Sequence, residues 1–512
     1  MRRRYIIPML SLAPLAALAQ EMGTPPNVIY IMCDDMGYGD LGCYGQPFIL
    51  TPHIDQMARE GMRFTDAYAG SPVSAPSRAT LMTGQHTGHC EVRGNKEYWP
   101  DAPKVKYGIV EDYAVSGQHP YDPEHIVLTE MMKRQGYRTA MFGKWAGGYE
   151  GSASLPHTRG IDRFFGYVCQ YQAHSYYPNF LNRYDPARGD TTTVRVVLES
   201  NVQHAMTGDD YHRRPQYSAD LIHREALRWI GEQQPDGQPF FAMLTYTLPH
   251  AELAQPADSL VSAYEAAFTD DKDWAGQWPS RYADVRHTHA QFAAMISRLD
   301  AYVGEVFATL RAKGLDSNTL VIFTSDNGPH EEGGADPAFF GRDGRLRGLK
   351  RQCYEGGIRV PFIAWWPGRV AAGSESNLPF AFYDIMPTLA DLTGLTDFPA
   401  SVTSRAKAER GEAEPFDGIS ILPTLLGEDA AQQRHDFLYW EFDETDQMAL
   451  RQGRWKLVVR GGVPELYDLD ADIHEDYDRA AEQPERVAAM VKVLLNEHTP
   501  NPHFRVTLPR RP

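Results

Sequence analysis

Seven consecutive residues, Asn27-Val28-Ile29-Tyr30-Ile31-Met32-Cys33, are almost all apolar and run straight into Asp34 and Asp35. An unbroken apolar run of this length is the pattern of a strand covered on both faces, which requires helices above and below a mostly parallel sheet. The rest of the chain repeats that arrangement. A helix is predicted from Thr51-Pro52 to near Gly61, with Met62 to Tyr68 returning as a strand. Ile126 to Gln135 reads as a helix stopped by Gly136, Tyr137 to Phe142 as a strand, Ser218 to Gln233 as a helix and Phe240 to Thr247 as a strand. A long helix from His287 to Lys313 precedes a strand over Thr319 to Thr324, and a buried strand over Phe362 to Trp366 precedes a helix from Asp384 to Leu392. This β-α-β order predicts an α/β fold built on one large sheet.

In such sheets function gathers beyond the carboxyl ends of the strands. Asp34-Asp35, Gly143-Lys144-Trp145, Pro249-His250 and Ser325-Asp326-Asn327-Gly328 each follow a predicted strand, so topology alone draws them to one edge. Adjacent carboxylates repel unless a cation lies between them, although the pair alone also suits a solvated loop. Asp34, Asp35, Asp326 and Asn327 offer only oxygen, a set that fits Ca²⁺ or Mg²⁺ and not zinc. Asp326-Asn327-Gly328 by itself would be an ordinary turn.

A second feature is Val73-Ser74-Ala75-Pro76-Ser77-Arg78-Ala79-Thr80-Leu81-Met82-Thr83-Gly84. Pro76 fits a first helical turn and Gly84 is a natural stop, which puts Ser74 at a helix N-terminus where free N–H groups favour an anion. Arg78 adds a cation one turn on. Taken alone, the segment also fits an N-capped surface helix.

The segment resembles the signature of the type I sulfatases, in which a Cys or Ser precedes x-Pro-x-Arg, an apolar helical turn and Thr-Gly. The chain from Asn27 onward fits that family, and Arg454-Trp455-Lys456-Leu457 and Glu465-Leu466-Tyr467-Asp468-Leu469 resemble its C-terminal subdomain. The resemblance implies the alkaline phosphatase-like sulfatase fold, with a large mixed, mostly parallel sheet and a smaller antiparallel C-terminal sheet. It implies a sulfuric ester hydrolase whose nucleophile is a formylglycine made from Ser74. Ca²⁺ would be held by Asp34, Asp35, Ser74, Asp326 and Asn327. A serine at position 74 points to a radical-SAM maturation enzyme as partner. By position in the family motifs, Arg78, Lys144, His250 and Lys350 converge on the sulfate, with Lys350 or His250 protonating the leaving oxygen.

Gln170-Tyr171-Gln172-Ala173-His174-Ser175-Tyr176-Tyr177-Pro178 is similar to a stretch in carbohydrate sulfatases acting on galactose and N-acetylgalactosamine. His174 is the expected sugar contact, while Tyr176 and Tyr177 either stack on a ring or pack internally. The loops Glu91 to Asn95 and Arg342 to Arg347 are further candidates. Tyr354-Glu355-Gly356-Gly357 shapes the loop holding Lys350, giving Glu355 a structural role. One departure stands out: where the family commonly has Gly-Lys-Trp-His, this chain has Gly143-Lys144-Trp145-Ala146. Either another group or water replaces that histidine, with His86 and His89 as candidates, or turnover is slow, or the protein binds without hydrolysing. Two other readings remain open, a phosphatase of the alkaline phosphatase superfamily and a non-catalytic protein that binds sulfated glycans.

Arg2, Arg3 and Arg4, the apolar run to Leu18 and Ala17-Leu18-Ala19 read as an export signal over residues 1–19. No later apolar run is long enough to span a bilayer, so a periplasmic or secreted protein is expected. The net charge of −17 becomes −20 once those three arginines leave, which argues against nucleic acid as partner. Five scattered cysteines do not suggest a disulfide framework. The expected division is a catalytic domain over 20–427, with an exposed insertion at Ala400 to Pro415, and a C-terminal subdomain over 428–512. In that subdomain short strands are predicted near Phe437 to Phe442, Met448 to Leu450, Trp455 to Val459 and Glu465 to Leu469.

Overall fold

Alternate residues of the strand Asn27–Cys33 (β1) enter opposite layers of a three-layer structure. Ile29, Ile31 and Cys33 pack with helices Pro52–Glu60, Ser218–Gly231 and Thr288–Lys313. Val28, Tyr30 and Met32 pack with helices Ser74–Thr83, Leu128–Arg134 and Ile385–Leu392. All seven residues are buried, which is why the run carries no polar alternation. The computed structural model describes residues 25–98, 105–106, 109–110, 117–203, 214–276, 282–341, 344, 346–412 and 415–510. The expected export signal and Arg342 lie outside these residues.

The remaining strands of the sheet are β2 Met62–Phe64, β3 Arg138–Lys144, β4 Arg163–Tyr167, β5 Phe180–Tyr184, β6 Val194–Val197, β7 Phe240–Thr245, β8 Thr319–Ser325, β9 Phe362–Trp365 and β10 Ser374–Ser376. They lie in the order β6-β5-β4-β3-β7-β1-β8-β9-β2-β10. The central strands β4-β3-β7-β1-β8 are all parallel. Antiparallel pairings join β5 and β6 on one side and β9 and β2 on the other. Met32 lies beside Thr245 and Thr324, so the C-terminal ends of three central strands finish level.

Helix stops follow the sequence: Gly84 and Gly314 are left-handed, with φ 68° and 66°, and end helices Ser74–Thr83 and Thr288–Lys313. One expectation is corrected. The predicted single strand Met62 to Tyr68 breaks at Thr65-Asp66, because Asp66 turns to the guanidinium groups of Arg359 and Arg451. Ala67–Tyr68 pairs instead with Phe380–Ala381.

Strands β11 Leu438–Phe442, β12 Gln447–Gln452, β13 Trp455–Arg460 and β14 Val463–Asp468 form an antiparallel meander. One face packs on helix Pro484–Glu497 and the other on Tyr68, Val73, Tyr354 and Ile358 of the larger part. No disulfide joins the five cysteines. No described helix is long and apolar enough to cross a membrane.

Candidate active site

The C-terminal edge of the central strands carries the predicted residues. Asp34 follows β1, Lys144 ends β3, His250 lies in the turns after β7, and Asp326-Asn327 follow β8. The edge is tight. A Cβ on Gly143 (φ 125°) would lie 2.0 Å from Thr245 O, and one on Gly166 1.9 Å from Gly143 O, so only glycines let β4, β3 and β7 close there.

Ser74 opens a ten-residue helix that is buried along its whole length. Its Oγ donates to Asp34 Oδ1 at 3.0 Å and accepts from Lys144 Nζ at 3.0 Å. Lys144 also donates to Asp34 Oδ2 at 2.6 Å. One turn on, Arg78 Nε donates to Asp326 Oδ2 at 2.9 Å and Nη2 to Asp34 Oδ2 at 3.3 Å. Lys350 Nζ donates to Asp35 Oδ2 at 2.9 Å and to His250 Nε2 at 3.0 Å. His250 Nδ1 bonds Ala251 O at 2.5 Å, which assigns the proton to Nδ1 and the lone pair to Nε2. The Asp35 N–H donates to Asp326 Oδ1 at 3.1 Å, and Asn327 Nδ2 to Asp35 Oδ1 at 2.7 Å. Thus Asp34, Asp35, Ser74, Arg78, Lys144, His250, Asp326, Asn327 and Lys350 form one buried cluster.

Burial in this cluster would push every carboxyl up. At Asp34 it is outweighed by Lys144 and Arg78, and at Asp35 by Lys350 and His250, so both are held below the usual range. Asp326 is the exception: burial and the charge of Asp34 outweigh Arg78 and Lys144 and push it up to about 6. Burial also lowers Lys144, and burial with the charge of Lys350 lowers His250. Ligand atoms of Asp34, Asp35 and His250 lie within 4.8 Å of one another, as do those of Asp35, His330 and Glu332. Asn327 Oδ1 is buried without a hydrogen-bond partner among the described residues.

His174 stacks on His250, with ring centroids 4.5 Å apart and planes 12° from parallel. Tyr176 and Tyr177 take the internal alternative: they are 0 % and 1 % exposed and pack against Tyr217. His86 and His89 stack on each other beside Asp417, which accepts the His86 backbone N–H at 2.8 Å and lies 2.9 Å from His89 Nδ1. They lie past the far end of the Ser74 helix, whose ten residues span about 15 Å, so neither replaces the histidine missing at Ala146. Asn95 reaches the site, its Oδ1 accepting the Ala75 N–H at 2.9 Å. Arg347 turns away to Tyr354 and Tyr467. Glu355 is bonded to Lys456 and Tyr68, outside the cluster. Sequence reasoning missed Glu332, which accepts from Lys350 at 3.2 Å and Arg351 at 2.5 Å.

The profile of the sulfatase family matches residues 26–395 of the chain. The protein belongs to the sulfatase family. This sulfatase is 30 % identical over 531 residues to arylsulfatase A of Homo sapiens, covering 95 % of its own chain and 90 % of that protein. It is also 30 % identical over 438 residues to N-acetylgalactosamine-6-sulfatase of Rattus norvegicus, covering 83 % and 70 %. The crystal structure of Ps i-CgsB shares its fold, with a TM-score of 0.69 at 24 % identity over 94 % of this chain and 96 % of that one. The protein is a hydrolase of sulfuric esters.

Proposed function

We propose that this sulfatase removes sulfate from a sulfated glycan, at galactose or N-acetylgalactosamine residues, using a formylglycine made from Ser74 and a bound Ca²⁺. The observation that carries the reading is Ser74 Oγ at a buried helix N-terminus, 3.0 Å from both Asp34 and Lys144. Asp34, Asp35, Asp326, Asn327 and the modified Ser74 would hold the cation. The fit rests on the convergent oxygens and on the orphaned Asn327 Oδ1. Bound there, the cation would hold a sulfate oxygen and offset the carboxylates. The hydrated aldehyde would supply a nucleophile with a second hydroxyl, which lets sulfate leave where a serine ester would be trapped.

The chain's own residues perform the rest. Three cations, Arg78, Lys144 and Lys350, balance the charges of Asp34, Asp35 and Asp326, so a divalent ion leaves a surplus that attracts an anionic ester. Each cation is already fixed by a carboxylate and meets transition-state charge without reorganising. Lys350 protonates the leaving oxygen, and His250 Nε2, the acceptor of a Lys350 proton, holds that ammonium in place. The 30 % identity to an N-acetylgalactosamine-6-sulfatase and the stacking of His174 on His250 support the sugar class, with His174 contacting the sugar.

On the same reading residues 1–19 are an export signal, 20–427 the catalytic domain and 428–512 a subdomain. The mature enzyme is periplasmic or secreted, and a serine-type radical-SAM enzyme matures it. The test is free sulfate released from a panel of sulfated mono- and disaccharides by protein whose Ser74 peptide carries the aldehyde. Galactose and N-acetylgalactosamine sulfates should be turned over. Release from aryl sulfates but from no sugar would overturn the glycan reading, and stoichiometric zinc would favour a phosphatase.

A further inference from the structure

The floor of the site is closed to solvent, with Asp34 and Lys144 1 % exposed and Asp35 and Asp326 0 %. At its mouth lie three side chains that reach solvent: Glu332 at 18 %, Glu444 at 26 % and Arg351 at 34 %. They belong to one arc. Lys350 Nζ donates to Glu332 Oε2 at 3.2 Å, and Arg351 Nη1 to Glu332 Oε1 at 2.5 Å. Arg351 Nε lies 4.0 Å from Glu444 Oε2, and Glu444 Oε1 accepts the Asn95 N–H at 2.6 Å. Asn95 in turn accepts the N–H of Ala75, next to Ser74, at 2.9 Å. The arc therefore runs from Lys350 to within one residue of Ser74 and borders the space that an ester lying between them must fill.

Arg351 is over-determined. Its φ of 73° is one that residues other than glycine rarely adopt. The position is held by the Arg351 N–H donating to Pro72 O at 2.9 Å and by Thr445 Oγ1 donating to Arg351 O at 2.8 Å. Both carboxylates compete for its guanidinium, so Glu332, Arg351 and Glu444 together sum to one negative charge, Lys350 being balanced by Asp35. Beside it Asp443 and Lys96 pair at 2.5 Å and cancel.

We propose that Glu332, Arg351 and Glu444 form a collar that receives the alcohol half of the ester and selects one without a second anionic group. For sugars this deepens the glycan reading above, on which it rests; the charge rule itself rests on the collar. Carboxylate oxygens accept hydrogen bonds from sugar hydroxyls. A second sulfate or a carboxylate on the same ring meets the net negative charge of the collar in a partly desolvated mouth, where screening is weak. Glu332 is in addition a positioning residue for Lys350.

The test uses the matured enzyme and two substrate pairs: 4-nitrophenyl sulfate against a ring-carboxylated analogue, and a monosulfated galactose against its disulfated form. In each pair kcat/KM should favour the singly charged member by about tenfold or more. Glu444→Gln and Glu332→Gln, which keep shape and remove charge, should each shrink that ratio about three- to tenfold; a purely structural role would lower both rates and leave the ratio alone. Discrimination in the aryl pair with no turnover of either sugar supports the collar while the glycan reading falls. A wild-type ratio near one, preference for the doubly charged member, or ratios unmoved by both variants would overturn the proposal.

Discussion

Two of the buried ionic networks among the described residues bear comparison. One is the floor beneath Ser74. The other is the seam between the meander and the large sheet, where Lys456, 0 % exposed, holds Glu355 at 2.8 Å and Glu475 at 3.0 Å. There Tyr68 donates to Glu355 at 2.7 Å, and Arg359 and Arg451 hold Asp66 at 2.9 and 2.7 Å. Composition and burial are nearly the same in the two. What differs is placement: the floor sits at the ends of parallel strands and at a helix N-terminus, with a serine hydroxyl at its centre. Buried charge alone identifies neither a catalyst nor a scaffold; convergence on a nucleophile does.

Substitutions should separate the networks, and Ser74 should do so most sharply. Ser74→Ala should cost about 10⁴-fold or more in sulfate release while the melting temperature stays close to wild type. Protein made in a host with only the cysteine-directed, oxygen-dependent maturation system should be folded and nearly inactive. Ser74→Cys in that host should regain activity, with the aldehyde visible by peptide mass spectrometry. Full turnover from wholly unmodified Ser74 would break the mechanism.

Asp34→Ala and Asp326→Ala come next. Each should lose bound metal and about 10³-fold in activity together, read by elemental analysis alongside kinetics. Full metal content with full activity in both would remove the floor's distinction from the seam. Lys350→Ala and His250→Ala should chiefly lower kcat, by about 10²-fold, with KM little changed.

The seam should behave in the opposite way. Lys456→Met leaves two buried carboxylates facing each other and should cost about 3–5 kcal/mol in denaturant unfolding, with the kcat of the folded enzyme within a few-fold of wild type. The seam also carries a pH signature. Burial, then the charge of Glu355, outweigh Lys456 and push the Glu475 carboxyl from 4.5 up to about 7. A carboxyl raised on folding contributes stability below its unfolded value of about 4.5 that is lost as pH rises through about 7. Unfolding free energy should therefore fall across that window, and Glu475→Gln should flatten the fall.

Much of this was legible in the sequence wherever a signal was local. β1 matches its predicted span, and the helices beginning at Pro52, Ser218 and Thr288 start within a residue of expectation, because continuous apolar runs and Gly or Pro punctuation are read over a few positions. Asp34, Asp35, Lys144, His250, Asp326 and Asn327 were visible because each lies at or after a strand end, Ser74 and Arg78 because they open a helix, and Lys350 through its place in the family motif. The outer strands β4, β5 and β6 were not: β6 alternates half-buried and exposed residues over only four positions, too short to distinguish from a loop. Glu332, Arg351 and Glu444 carry no local pattern at all. Their meeting depends on a turn of the meander folding back more than 90 residues to the Lys350 loop, a contact only the tertiary structure supplies.

The burial of Ser74 has a consequence for biosynthesis. With Ser74 1 % exposed and its hydroxyl bonded on both sides, the finished fold offers no surface on which another enzyme could grip the segment Val73 to Gly84 as an extended peptide. If Ser74 is oxidised as proposed, the oxidation must precede folding, and the two processes race. Molecules that fold first are locked out for as long as they stay folded, so the active fraction of a preparation records the outcome of that race during synthesis and cannot be raised afterwards by adding the maturation enzyme to native protein.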